Sequence, residues 1–251
     1  MIDTNLLQDS QPFVLMKSRT PLFEVCANGL QSAINAQLAG ADRIELCENL
    51  EVGGVTPTLE LMIKVRESIH LPIHVLIRPR AGDFNYAEEE FQIMIESIQT
   101  CKNLKMEGVV FGVLHDDFSI DQERTAQLMS LAFPLSVTFH RAFDVVIDPV
   151  ESLHTLIKLG VNRILTSGQK ENALLGSDLI SKLVSIAEDK ITLLAGGGIT
   201  EDNITAIVKQ SGTHEFHFSA KKQLADNSLV SDTELIRNIC RKASIAYEKM
   251  Y

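Results

Sequence analysis

Two short stretches set a carboxylate two residues before a thiol: FEVCANG, with Glu24 and Cys26, and IELCENL, with Glu45 and Cys47. Repeated in this way, the pair is either the start of a soft-metal site, because thiolates select copper(I) or zinc, or the mark of two similar strands in which cysteine fills space. Other residues with chemical potential follow. HRAFD brings His140, Arg141 and Asp144 within five residues, suited to an acid or base, an anion-binding guanidinium and a carboxylate that orients either. IRPRAGDF places Arg78 and Arg80 on either side of Pro79, which suits an anion clamp, while Arg80 could equally cap a helix or bind a subunit. AGGGIT holds Gly196, Gly197 and Gly198, TSGQ holds Ser167 and Gly168, and HFSA holds Ser219 and Ala220.

These groups need a scaffold, and length and composition bound it. A chain of 251 residues with 45% hydrophobic content can bury one large core, and this length is common for single-domain α/β barrels. The formal charge of −10 argues against nucleic-acid or anionic-membrane partners, which require a basic footprint, and leaves a small molecule or ion as the expected ligand. Four cysteines, Cys26, Cys47, Cys101 and Cys240, are too few and too spread for a disulfide framework, and no cleavable apolar leader opens the chain. A reducing cytoplasm is expected. The apolar runs are strand length, far short of a membrane span.

Along the chain, β-branched runs alternate with helical periods, which predicts repeated βα units. Strands are expected at 22–26, 43–47, 73–77, 109–113, 135–139, 163–166, 191–195 and 215–218. Segments such as SAINAQLAG and SLHTLIKLG between them carry apolar residues at helical spacing and end in glycine. Pro57 and Pro149 stand at helix starts, and Pro72 and Pro134 just before strands. GADRIELC and GVNRILTS echo each other across half of an eightfold repeat. Neither GxGxxG nor a P-loop follows the first strand, so no nucleotide cofactor motif is found. A TIM (β/α)8 barrel over 22–251 is therefore expected, preceded by an N-terminal extension at 1–21.

In a barrel the strand face under the helices is apolar, so the polar members of each alternating strand point inward. This puts Glu24, Cys26, Arg43, Glu45, Cys47, His74, Arg78, Ser136, Thr138, His140, His217 and Ser219 in the bore. The buried carboxylates Glu24 and Glu45 then need partners, for which Arg78, His140 and Arg43 are available, and the same network could serve only to hold the barrel in register. At the C-terminal rim the three glycines, read as running straight into a helix, suit an anion cradle with Ser167, Gly168, Ser219 and Ala220 beside it. A tight turn would explain one glycine but not three. No lysine ends strands one to seven, so imine chemistry has no obvious nucleophile. Adjacent strands lie about 4.8 Å apart, and two sulfurs on one ion lie about 4 Å apart, so Cys26 and Cys47 can meet on a metal, with His140 or His217 as a third ligand.

In their order, ADRIELCENLEVGGVTP, IRPRAGDFNY, VVFGVL, VTFHRAFD, RILTSG, LLAGGGIT and EFHFSA closely resemble the CutC family of copper-homeostasis proteins, over roughly residues 22 to 222. The resemblance implies a TIM barrel, a cytoplasmic location, a homo-oligomer (dimer or tetramer) and copper(I) binding, with the metal ligands at Cys26 and Cys47. The residues themselves leave a second reading open: an enzyme acting on a small phosphorylated or otherwise anionic metabolite. Its rim would be Arg78, His140, Arg141, Gly197, Gly198 and Ser219, with Glu24, Glu45 and Asp144 as further catalytic candidates.

Overall fold

In the computed structural model, which describes residues 20–225 and 227–250, eight parallel strands close into a ring. They are β1 (Leu22–Ala27), β2 (Arg43–Leu46), β3 (Ile73–Leu76), β4 (Gly108–Phe111), β5 (Ser136–Phe139), β6 (Arg163–Thr166), β7 (Thr192–Gly196) and β8 (Glu215–Phe218). The ring is completed by β8 lying beside β1, with Glu24 opposite His217 and Val25 opposite Phe218. The helices α1 (Leu30–Ala39), α2 (Leu59–Ser68), α3 (Glu88–Asn103), α4 (Gln122–Ala132), α5 (Pro149–Lys158), α6 (Ser177–Ala187), α7 (Ile204–Ser211) and α8 (Thr233–Glu248) surround it. A small hairpin, β9 (Lys221–Gln223) and β10 (Leu229–Ser231), follows β8 and was not expected from the sequence. The expected extension falls almost wholly outside the described residues. No helix among the described residues is long and apolar enough to cross a membrane.

Local chemistry explains where the elements begin and end. The side chains of Thr58, Asp121, Asp148 and Asp232 cap α2, α4, α5 and α8 by accepting first-turn backbone N–H groups, and Pro149 occupies the first turn of α5. Gly40 and Gly212 close α1 and α7 in the left-handed conformation.

The alternation of faces holds throughout. Phe23, Val25, Ile44, Leu46, Ile73 and Val75 join the large core between strands and helices. Cys26 and Cys47 instead pack with Leu76 and Val110 in a separate small cluster inside the ring, against half-buried Leu50. One side of the bore is opened by glycine. A Cβ at Gly112, just past β4, would lie 2.6 Å from Nδ1 of His140, so only glycine lets that imidazole occupy its place.

Candidate functional site

The floor of the bore is a buried ionic network. Arg43 on β2 binds Glu24 on β1 through a short Nε contact and Glu215 on β8 through Nη2 at 2.7 Å. Arg163 on β6 reaches the same Glu215 oxygen at 3.0 Å and the Ser136 hydroxyl at 2.6 Å. Two guanidinium groups thus balance two carboxylates. The second oxygen of Glu24 lies 2.7 Å from Nδ1 of His217, and His74 stands 3.8 Å from Glu24. Burial by itself raises the Glu24 pKa, but Arg43 and His217 overcome it and hold the carboxyl well below its ordinary range. His74 is pushed down to about 3 by burial and remains neutral.

This arrangement corrects the pairing expected from the sequence. Arg43 is the partner of Glu24, whereas Arg78 and His140 bind neither carboxylate through a hydrogen bond or ion pair among the described residues. Glu215 and Arg163 went unnoticed, although stepping back two residues from His217 and Leu165 along the alternating pattern reaches both.

Above the floor the thiols meet. Sγ of Cys26 lies 3.7 Å from Sγ of Cys47, and both cysteines are free. Cys26 also donates to Glu45 Oε1 at 3.8 Å. One ligand atom from each of Cys26, Glu45 and His217 falls within 4.8 Å of the others. The neighbouring Cys47 thiol, then burial and the nearby carboxylates, push the Cys26 thiol well above its ordinary pKa, so it holds its proton in the absence of metal. Burial raises Glu45 to about 7, against the pull of His217. Burial works against a charged His217, but Glu45 and Glu24 raise its pKa nonetheless. The second oxygen of Glu45 is buried without a hydrogen-bond partner, and a donor set left open in this way fits an incoming cation.

A cavity of about 500 Å³ rises from this cluster to the barrel mouth, within the size range of small-molecule sites. Cys26, Glu45 and His217 form its base, and Arg78, His140, Arg141, Asp144, Gly197, Gly198 and Ser219 reach its walls. Leu50, Val52, Phe84 and Lys221 also line it, and the sequence reading had passed over them. Buried His140 accepts the Ala142 N–H through Nδ1 at 3.1 Å, and burial, then Arg78, lowers its pKa to about 3.

The remaining rim residues act in support. Arg141 pairs with Asp144 at 2.7 Å and donates to the Ser167 hydroxyl at 2.9 Å. Asp144 accepts the Ser167 backbone N–H at 3.0 Å and the Thr166 hydroxyl at 2.5 Å. Gly168 packs against the backbone of Gly176, and Gly196 against Leu165 and His217. The Ala220 carbonyl accepts the Asp232 N–H, which ties the chain after β8 to the start of α8.

Two expectations are corrected here. The glycine stretch does not run straight into a helix: α7 starts at Ile204, and the Asn203 side chain folds the intervening turn by accepting the Thr200 N–H and donating to the Gly198 carbonyl. Arg80 does not join Arg78 in a clamp. It turns to Glu90 at 2.6 Å, Asp83 at 2.9 Å and the Asn85 carbonyl at 2.8 Å.

Comparison with known proteins places this barrel among relatives. The CutC family model matches residues 21–222. The human copper homeostasis protein cutC homolog is 46% identical over 200 residues, 80% of this chain and 73% of that protein. A CutC family protein of Bacteroides fragilis is 47% identical over 204 residues, 81% of each chain. Among solved structures, CutC from Streptococcus agalactiae superposes with a TM-score of 0.76 at 34% identity, covering 80% of this chain and 99% of that one. With its closed eight-stranded barrel, a match across most of its length and relatives this similar, the chain belongs to the CutC family.

Proposed function

We propose that the protein binds copper(I) in the cytoplasm as part of copper homeostasis, through Cys26 and Cys47, with His217 completing the site. The separation of 3.7 Å between the two sulfurs carries this reading, because two thiolates each about 2.3 Å from one ion stand about 4 Å apart. The names of the human relative and of the Streptococcus agalactiae structure support copper over other soft ions. Binding as thiolates releases one proton from each sulfur, two for a single copper(I), so affinity for the ion is expected to rise with pH.

His217 suits the third position for a specific reason. Glu24 is ionised and can only accept, so Nδ1 of His217 donates to it and Nε2 is left for a metal once deprotonated. A carboxylate behind a ligating imidazole fixes its tautomer and raises its basicity. A reducing compartment keeps this dithiol unoxidised. The dimer or tetramer that goes with this reading is checked by sedimentation velocity.

The test is an anaerobic competition titration against a chromophoric copper(I) chelator. Wild type is expected to retain copper(I), and the Cys26→Ser, Cys47→Ser double variant to lose it with its melting transition preserved. Equal affinity in a folded double variant overturns the site.

A further inference from the structure

We infer that the barrel mouth is an oxyanion site centred on Arg78, which takes the carboxylate or phosphate group of a small organic molecule independently of copper. Arg78 is buried, and its guanidinium spends its terminal nitrogens on backbone: Nη1 donates to the carbonyls of Val52 at 3.1 Å and Gly54 at 2.9 Å, and Nη2 to Gly82 at 2.9 Å. Nε is buried with no partner. Carbonyls satisfy N–H groups but do not cancel a full charge, and no carboxylate among the described residues comes within ion-pair distance of Arg78.

The other guanidinium groups around the bore are balanced. Arg43 and Arg163 face Glu24 and Glu215, and Arg141 faces Asp144. Arg78 is therefore a buried cation whose counter-charge the described chain does not supply, placed on the wall of a cavity open to small molecules.

A second group points to the same ligand chemistry. Because Nδ1 of His140 accepts the Ala142 N–H, a neutral imidazole carries its proton on Nε2, and that nitrogen is buried without a partner. His140 thus offers a donor beside a cation. Phe84 touches both, its ring 4.9 Å from the His140 ring and 5.3 Å from the Arg78 guanidinium carbon. Tyr86 does not neutralise Arg78, since burial pushes its phenol up to about 12. Leu50, Val52, Leu165 and Phe218 give the cavity an apolar wall for the carbon part of the ligand, and Ser219 and Lys221 stand at its edge. With a net charge of −10, the protein repels anions at long range, so retention here requires a local seat.

The experiment uses the full chain, metal-free, with a copper chelator present and ionic strength held constant by sodium chloride. Inorganic phosphate, malonate and uncharged glycerol are titrated by calorimetry and by nitrogen NMR of the histidine rings. Saturable binding of phosphate or malonate, with a shift of the His140 Nε2 resonance and no response to glycerol, is expected, and the preferred probe tells phosphate from carboxylate. Arg78→Gln should weaken binding at least about tenfold, and His140→Gln about threefold. Should Arg78→Gln fail to fold on losing its three carbonyl contacts, His140→Gln and the wild-type ring shift decide. The proposal is overturned if neither anion saturates, if the His140 signal stays still, or if both folded variants bind as wild type does.

Discussion

Nδ1 of His217, on the last strand of the barrel, lies 2.7 Å from Oε1 of Glu24 on the first. That bond crosses the seam where β8 closes the ring against β1, and it occupies Nδ1, which leaves Nε2 as the imidazole nitrogen open to a ligand. The barrel seam and the candidate metal ligand therefore share the same pair of side chains.

His217→Gln should leave two sulfurs and remove one nitrogen from the copper coordination shell, with affinity falling about 10- to 100-fold. X-ray absorption on the copper-loaded protein counts the nitrogen directly. An unchanged shell would show that the dithiol holds the ion without the imidazole.

Arg43→Met should be among the most damaging substitutions in the chain. It leaves Glu24 buried with only imidazole partners and Glu215 with only Arg163, and breaking a buried pair from one side costs about 3–5 kcal/mol. Urea denaturation at neutral pH reads this loss. Arg163→Met should cost less, because Arg163 is partly exposed and Glu215 keeps Arg43.

Stability should fall on acidification between about pH 6.5 and 3, with His74 supplying part of the fall and His140 a further part. Burial depresses the folded pKa of His140 from 6.5 to about 3, so in that window the unfolded chain binds a proton that the folded one refuses. The contribution is present above the unfolded value and disappears as pH drops, up to an order of 4 kcal/mol. His140→Gln should flatten the profile of unfolding free energy against pH, and an equally steep profile would exclude this origin.

Gly112→Ala should destabilise by about 1–3 kcal/mol, since the new methyl group meets the His140 ring and Ala142 with no room to yield. Thermal unfolding measures the loss, and the His140 ring signals should move in the same variant.

Parity along each strand was legible because the outer face must be apolar; this alone placed Glu24, Cys26, Glu45, Cys47 and His217 in the bore. Height within the bore was not legible. Which side chains share a level depends on the stagger between strands, and only the register, with Glu24 beside Arg43 on one side and His217 on the other, selects Arg43 over Arg78 as the partner of Glu24. The choice between a clamp and a helix contact for Arg80 was open for a related reason. Pro79 interrupts the alternation, and its true partner Glu90 is brought near by the start of α3, which no spacing rule links to it. Strand edges shifted by up to two residues, most at β4, where regular pairing stops at Phe111.

The coordinating atoms proposed for copper come from positions 26, 47 and 217, so a ribosome must release nearly the whole polypeptide before they can assemble. A nascent or prematurely terminated product lacking β8 would have the two sulfurs but neither the imidazole nor the Glu215 that steadies Arg43. Such a product would hold the metal more weakly than a molecule whose eighth barrel strand has arrived.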